Sequence, residues 1–248
     1  MVTRAAAADI AALTDLWQAV FGDTPEEIAP FFQHVFPKSV GFCARVDGSL
    51  GGMVFCVPCD VVRGEATFRC GYLYALGVRE DLRGQKLGRT LADAVRRYAE
   101  EEKLAAVLTL PAEPSLFAYY ADLGYQPWSW ATECSFGAQA GDVTEISPQD
   151  YLSLRRTYLD KLGAAYLAPS EGVAALHRFF AWDGGCCAVG GGLVTELCGS
   201  AKGAPAVAEK LGVPRLSAIR CGSGYPFVAA LPLQDDFPTD GLFSFGMQ

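Results

Sequence analysis

Basic residues and glycines are concentrated in one short segment that could bind an anion. The segment is Arg83-Gly84-Gln85-Lys86-Leu87-Gly88-Arg89. An apolar run, 71–78, precedes it, and apolar residues then recur every three or four positions from 87 to 98. The first pattern predicts a strand and the second an amphipathic helix. Because a helix start exposes backbone N–H groups and carries partial positive charge, the segment predicts a phosphate or pyrophosphate site.

Two familiar phosphate-binding motifs are absent from this segment. It has neither the Gly-Lys-Ser/Thr of a Walker A loop nor the G-x-G-x-x-G of a dinucleotide fold. Glycines at a helix start are more often only a turn, so the interpretation depends on the residues C-terminal to the predicted helix. A second apolar run, 104–110, completes a strand-helix-strand pattern typical of a parallel crossover. A short predicted helix with adjacent tyrosines, Tyr119 and Tyr120, then stops at Gly124.

Together these features resemble the core of the GCN5-related N-acetyltransferase (GNAT) superfamily, over residues 72–128. The family's pyrophosphate loop has the form Arg/Gln-x-x-Gly-x-Gly/Ala. Arg83 matches its first position and Gly88 its last, while Lys86 stands in place of the middle glycine. The family's later motif, a tyrosine four residues before a Gly-aromatic pair, falls on Tyr120 and the pair 124–125.

The resemblance implies that this segment binds acetyl-CoA as a cosubstrate. In the family, the backbone of the strand before the loop pairs with the pantetheine arm, and the loop holds the pyrophosphate. The corresponding residues here are Leu76, Gly77, Val78, Arg83, Gly84, Gln85, Lys86, Leu87, Gly88 and Arg89. The resemblance also implies that Tyr120 is the general acid that protonates the leaving sulfur, a role that suits a phenol. Tyr119 is then expected to pack in the core.

The group that removes the proton from the attacking amine is left open by the sequence. The central strand has no carboxylate, although many family members carry one there. Glu113, at the end of the second strand, is one candidate, but it could instead cap the next helix. Water is another. The third is the terminal carboxylate of Gln248, which resembles the arrangement in tandem aminoglycoside-acetylating relatives.

The pattern along the whole chain predicts a mixed α+β fold in two domains. The first, residues 1–137, is expected to be the catalytic GNAT domain, with a mostly antiparallel twisted sheet and one parallel crossover at the acyl-CoA site. Its predicted order is β-α-α-β-β-β-α-β-α-β, with Asp9 capping the first helix, a capping box at Thr24, and a kink at Pro30. In the family these two helices line the acceptor site, so the resemblance offers Phe31, Phe32 and His34 as substrate-facing residues. The expectation we favour is that both phenylalanines pack in the core and His34 is solvated.

A stretch of small residues, 137–141, predicts the boundary between the domains. The second domain, residues 143–248, is predicted to contain two helices, 147–159 and 170–180, then strands, one helix and further strands. It contains no Arg-x-x-Gly-x-Gly, so we interpret it as a degenerate, non-catalytic GNAT-like domain. An independent α+β cap is the alternative.

Composition restricts the class of protein and its partners. The chain has 248 residues, of which 51% are hydrophobic and 19% charged, which is typical of a folded globule. A net charge of −8 argues against nucleic acid and is compatible with a cationic amine. With neither a membrane-length apolar run nor a signal peptide, a cytoplasmic location is expected. The apolar segment 242–247 predicts a strand at which a second copy could pair to form a homodimer.

The nine cysteines include the motif Cys56-Val-Pro-Cys59, which could be a redox pair or half of a zinc site. The motif lies between strand segments rather than at a helix start, and the chain has only two histidines. Reduced thiols in the core are therefore expected, with no bound metal.

These observations predict an N-acetyltransferase that moves the acetyl group of acetyl-CoA to a primary amine of a small molecule or a protein. The alternative is a regulatory module that binds acyl-CoA without turnover, because Lys86 and the missing strand carboxylate could reflect lost catalysis. The acceptor itself is not specified, since acceptor pockets are built from loops that vary freely on one scaffold.

Overall fold

A computed structural model describes residues 1–242 of the chain. These residues form two compact units. The first comprises residues 1–60, 68–126 and 229–237, and the second comprises 61–67, 127–228 and the described residues from 238 onward. Helices occur together with both parallel and antiparallel strand pairs, which confirms the predicted mixed fold class. Of the helices within residues 1–242, none has the length and hydrophobicity needed to cross a bilayer.

The first unit follows the predicted element order through its fourth α-helix. Its strands are β1 (Val2–Arg4), β2 (Val40–Val46), β3 (Ser49–Arg63), β4 (Ala66–Val78) and β5 (Ala106–Thr109). Its α-helices are α1 (Ile10–Phe21), α2 (Pro25–Pro30), α3 (Leu87–Glu101) and α4 (Leu116–Ala121). The strands lie side by side in numerical order, and residues 229–232 add an antiparallel partner beyond β5.

Helix α3 connects β4 to β5 and makes these two strands parallel. Its apolar face, Leu91, Val95 and Ala99, is fully buried against sheet residues that include Val54 and Val107. Complete burial of a leucine or valine side chain contributes about 1.5–3 kcal/mol. This packing therefore fixes the start of α3 near the end of β4.

Aromatic side chains connect α1 and α2 to the sheet. The Trp17 ring lies 5.0 Å from that of Phe31 and 5.6 Å from that of Tyr74, between centroids. Phe31 and Phe32 are buried, which confirms their predicted place in the core. Since successive strand residues point to opposite faces, Tyr74 faces this cluster while Leu73 packs with α3.

The two N-terminal helices begin and end for identifiable reasons. The capping box at Thr24 forms as predicted, because Thr24 and Glu27 exchange hydrogen bonds between side chain and backbone. Pro30 ends α2, and the chain continues as a π-helical turn over 31–35. The predicted cap at Asp9 was wrong, because its carboxylate accepts from the Ala6 N–H and pairs with Arg45 instead.

The second unit contains the remaining elements. Its strands are β6 (Gln126–Gly137), β7 (Thr144–Ile146), β8 (Tyr166–Pro169), β9 (Arg178–Trp182), β10 (Gly185–Gly190), β11 (Leu193–Gly199), β12 (Arg215–Cys221) and the first half of β13 (Tyr225–Pro232). Its helices are α5 (Pro148–Asp160), α6 (Glu171–Ala174) and α7 (Ala204–Lys210). The sheet order is β6-β12-β11-β10-β9-β7, and β11 and β12 are parallel across α7.

One expectation about the second half differs from the structure, and another falls almost wholly outside the described residues. The helix predicted over 170–180 was wrong beyond Ala174, because 178–182 is strand β9. Its residue Phe180 pairs with Cys187 of β10, and burial in the sheet outweighs local helical preference. The strand predicted over 242–247 falls outside the described residues except for Leu242, which forms a bridge with Tyr166.

The chain does not divide at a single point. Residues 229–237, which the sequence analysis assigned to the second domain, belong to the first unit. The reason is strand pairing, since Ala229–Pro232 runs antiparallel to β5 in the register Ala229↔Thr109 to Pro232↔Ala106.

A charged cluster is buried inside the second unit. Arg155 of α5 and Glu196 of β11 are 2% and 3% exposed, and the Arg155 Nε lies 2.6 Å from Glu196 Oε2. The guanidinium also donates to the Leu167 carbonyl, and the Tyr151 hydroxyl donates to Glu196. Because every partner is buried, losing one charge leaves the other without compensation.

This cluster predicts very different costs at two neighbouring arginines. Arg155→Met should lower the free energy of unfolding by about 3–5 kcal/mol, because it removes the cation that compensates the buried charge of the Glu196 carboxylate. Arg156→Met, which removes only an exposed pair with Asp160, should lower it by less than about 1 kcal/mol. Urea unfolding of both variants measures this, and equal losses would contradict a structural role for the cluster.

Candidate active site

The candidate site begins where β4 and β5 separate. Their last parallel pair is Leu73 with Thr109. Thr109 is also the last residue of β5, whereas β4 continues to Val78. Ala75 interrupts this extension with a φ of 49°, a conformation that side chains other than glycine adopt rarely. Leu76 and Val78 are partly exposed and Gly77 is buried. The strand predicted to hold the pantetheine arm thus extends beyond its parallel neighbour.

The predicted anion loop lies at the end of this extension. A 3₁₀ turn, Glu80–Leu82, leads into the loop, and α3 begins at Leu87. Gly84 has a φ of 80°, and a side chain there would meet no atom within 4 Å. Lys86, at the position of the family's middle glycine, has a φ of 62°. The backbone therefore keeps a glycine-like conformation at a lysine, at a cost of about 1–2 kcal/mol.

Backbone N–H groups of the loop are available to a ligand. Within residues 1–242, the amides of 84–89 donate to no protein acceptor, and the next amide, that of Thr90, donates to the Lys86 carbonyl. Most of the loop is exposed, and the helix dipole adds partial positive charge. This geometry can bind an anionic oxygen cluster such as a diphosphate.

The basic side chains of the loop contact the protein backbone at two places. The Arg83 Nε donates to the Val78 carbonyl at 3.4 Å, and Arg89 donates to the Asp122 carbonyl at the end of α4 at 3.3 Å. Both residues remain exposed. Lys86 also remains exposed, so positive charge surrounds the free amides.

Gly88 makes room for a tyrosine hydroxyl. A Cβ at Gly88 would lie 2.9 Å from the Tyr119 hydroxyl oxygen. This hydroxyl is buried and has no hydrogen-bond partner among the described residues. Burial and the nearby Tyr120 raise the pKa of Tyr119, so its hydroxyl keeps its proton. Tyr119 thus points a polar atom at the start of α3 instead of packing only as a core residue.

Tyr120 lies at the point where the two strands part. It is 7% exposed, and its hydroxyl lies beside the side chain of Thr109, the last residue of β5. Burial raises the pKa of Tyr120, and the neighbouring Thr109 side chain offsets part of that effect. The phenol therefore carries its proton at neutral pH, as a general acid must. The Tyr120 ring also packs edge-on to Tyr125, which fills the core beside it.

The candidate bases are less closely tied to this position. Glu113 is exposed in the loop between β5 and α4, and its carboxylate accepts a hydrogen bond from Ser115 at 3.3 Å. Helix α4 has no side-chain cap. Gln248 lies outside the described residues.

The Cys56-x-x-Cys59 motif is part of a strand core. Both thiols are free and buried in β3. Burial raises the pKa of Cys56 to about 12, so the thiol remains neutral and a poor nucleophile. No group of three or more His, Cys, Asp or Glu side chains in the described part of the chain could hold a metal.

Sequence reasoning missed Thr109, which connects three parts of the site. Its Oγ1 donates to the Leu73 carbonyl at 3.2 Å, and its side chain lies beside the Tyr120 hydroxyl. The available signal was its position, because a polar residue near the end of an apolar strand marks the sheet edge where ligands bind.

Comparisons with known proteins agree with this geometry. Residues 10–125 match the family model described as the Acetyltransferase (GNAT) family. The match contains α1, the loop, α3 and Tyr120, so this part of the chain is similar to GNAT acetyltransferases. None of the curated proteins compared with the chain matches it.

Solved structures share the fold over nearly the whole chain. A conserved protein of unknown function from Enterococcus faecalis V583 is 13% identical with a TM-score of 0.70, covering 93% of this chain and 71% of its own. A GCN5-related N-acetyltransferase from Kribbella flavida is 14% identical with a TM-score of 0.66, covering 93% and 70%. A Pyrococcus horikoshii protein is 13% identical with a TM-score of 0.66, covering 99% and 94%. At these identities the likeness shows the fold alone.

The two adjacent tyrosines predict stability changes of opposite sign. Tyr119→Phe removes a buried hydroxyl without a partner, so it should raise the free energy of unfolding of the ligand-free protein by about 1 kcal/mol. Tyr120→Phe removes a hydroxyl that interacts with the Thr109 side chain and should lower it by about 1 kcal/mol. Urea unfolding distinguishes them, and a loss of stability at Tyr119→Phe would show that its hydroxyl is satisfied.

Proposed function

We propose that the chain is an N-acetyltransferase that moves the acetyl group of acetyl-CoA to a primary amine, with Tyr120 as the general acid. The observation that carries this proposal is the combination of free amides at 84–89 with the protonated Tyr120 phenol where β4 and β5 part. Both features lie within the residues that match the GNAT family, which supports the proposal.

Each part of the proposed site has one task. The amides of 84–89 and the start of α3 bind the pyrophosphate of acetyl-CoA. The β4 extension, Leu76 to Val78, offers backbone groups to the pantetheine arm, which positions the thioester beside Tyr120. Tyr119 presents a free hydroxyl at the same helix start, where it can bond with the bound ligand.

The chemical step requires one proton donor and one proton acceptor. The neutral amine attacks the thioester carbonyl, a C–N bond forms, and the C–S bond breaks. Tyr120 gives its proton to the leaving sulfur, so that coenzyme A departs as a thiol. The proton of the attacking nitrogen goes to water or to a carboxylate, either that of Glu113, which is exposed and accepts from Ser115, or the terminal carboxylate of Gln248.

We also propose that the second unit is a non-catalytic GNAT-like half. It repeats the parallel strand-helix-strand unit in β11, α7 and β12. Its helix start is filled by protein, because a Cβ at Gly203 would lie 2.2 Å from the Trp182 ring. The Trp182 indole also donates to the Ser200 carbonyl at 2.8 Å. This loop has no space that corresponds to the open one around Gly84.

The general-acid role predicts a selective loss of turnover. Tyr120→Phe should lower kcat about 10²- to 10⁴-fold and leave the affinity for acetyl-CoA nearly unchanged. Tyr125→Phe, which also removes a buried hydroxyl from the same cluster, should leave kcat within about twofold. Thiol release with a panel of primary amines measures kcat, and calorimetry measures binding. If acetyl-CoA binds but no amine is acetylated, the chain is an acyl-CoA-binding module.

The loop predicts a separate loss of binding. Gly88→Val places a side chain against the Tyr119 hydroxyl at the start of α3, and it should weaken coenzyme A binding at least about tenfold. Gly137→Val is the matched control, since a Cβ there would meet nothing within 4 Å. Calorimetric titration with coenzyme A provides the measurement. Unchanged affinity in Gly88→Val would refute the loop as the binding site.

A further inference from the structure

A carboxylate is held at the end of α1 without a cationic partner. Helix α1 ends at Phe21, Gly22 follows with a φ of 85°, and Asp23 then turns back toward the helix. The Trp17 indole N–H donates to Asp23 Oδ2 at 2.7 Å. Among residues 1–242, no lysine, arginine or histidine forms an ion pair with Asp23. Asp23 is only partly buried, so its charge can reach a ligand.

This carboxylate lies beside the β4 extension. Trp17, which holds it, packs edge-on against Tyr74, the first residue of β4 beyond its last pair with β5. Burial, and to a smaller extent the negative charge of Asp23, raise the pKa of Tyr74. Tyr74 also stacks on Tyr72, with centroids 5.8 Å apart. The Asp23 carboxylate therefore lies beside the aromatic residues at the point where β4 leaves β5.

An exposed aromatic ring flanks the same place. Phe21 is 43% exposed, although its ring packs against Trp17 at 5.9 Å. A Cβ at Gly77 would lie 3.2 Å from the Phe21 ring, so this ring packs against Gly77 of the β4 extension. The surface thus combines an unneutralised carboxylate, a phenol hydroxyl and an apolar ring. Such a surface suits a primary ammonium attached to an apolar or aromatic group.

We propose that Asp23 binds the ammonium group of the acceptor, and that Phe21 and Tyr74 contact its apolar part. The acceptor is accordingly a cationic primary amine with an apolar substituent. This inference rests on the proposed function and adds to it the class of acceptor. Attack requires the neutral amine, so the bound ammonium first gives one proton to solvent, and Asp23 is a specificity residue that acts in binding. Its charge is therefore expected to affect KM for the acceptor rather than kcat.

Two amines of nearly equal shape test the inference. 2-Phenylethylamine is cationic at neutral pH, whereas O-benzylhydroxylamine, with oxygen in place of one CH₂ group, is neutral. Asp23→Asn removes the charge but keeps an oxygen that can accept from Trp17. It should raise KM for 2-phenylethylamine about tenfold, the usual size of a lost charge-assisted hydrogen bond. It should leave kcat, KM for acetyl-CoA and KM for O-benzylhydroxylamine within about twofold of the wild type.

Asp15→Asn is the matched control, because Asp15 is exposed on the same helix. It should change none of these constants. The inference is overturned if Asp23→Asn and Asp15→Asn behave alike with 2-phenylethylamine, or if Asp23→Asn raises KM equally for both amines. If the wild type acetylates neither amine nor any other primary amine while still binding acetyl-CoA, the proposed function itself fails.

Discussion

The site depends on a single backbone event, the separation of two parallel strands after the Leu73↔Thr109 pair. A strand that leaves its neighbour exposes unpaired backbone groups, which are costly if buried and useful if a ligand can bind them. Thr109 stabilises the last pair of residues, because its hydroxyl donates to the Leu73 carbonyl. The same side chain lies beside Tyr120. The phenol is thus located by the strand ends themselves rather than by a flexible loop.

The anion loop follows from the packing of α3. Burial of Leu91 and Val95 fixes the helix on the sheet, and its first turn then has to lie at the end of β4. The amides at 84–89 have no protein acceptors within residues 1–242, because a helix start leaves its first N–H groups unpaired. Lys86 shows how strongly this conformation is imposed, since a lysine adopts a left-handed backbone there. The helix packing provides the free energy that offsets this strain.

The same parallel strand-helix-strand arrangement occurs in both units, but the loop before the helix differs between them. Both contain parallel strands joined by a helix, but the first leaves its loop open around Gly84, whereas the second fills it with the Trp182 ring. Inside the second unit, the Arg155 and Glu196 pair is buried and fully bonded, as befits a structural element. Polar groups available to a ligand, such as the Tyr119 hydroxyl and the Asp23 carboxylate, instead lie in the first unit close to the proposed chemistry.

By itself the sequence determined the local elements and their order in the first unit, because periodicity, glycines and the capping box at Thr24 act over a few neighbouring residues. It also singled out the loop and Tyr120 as candidates, because the loop motif and the tyrosine motif stand at the spacing that is typical of the family. Only the tertiary structure decided that 178–182 is a strand, that 229–237 returns to the first unit, that Thr109 donates to Leu73, and that Asp23 accepts from Trp17. These outcomes depend on partners distant in the chain, where strand pairing and burial outweigh local preference.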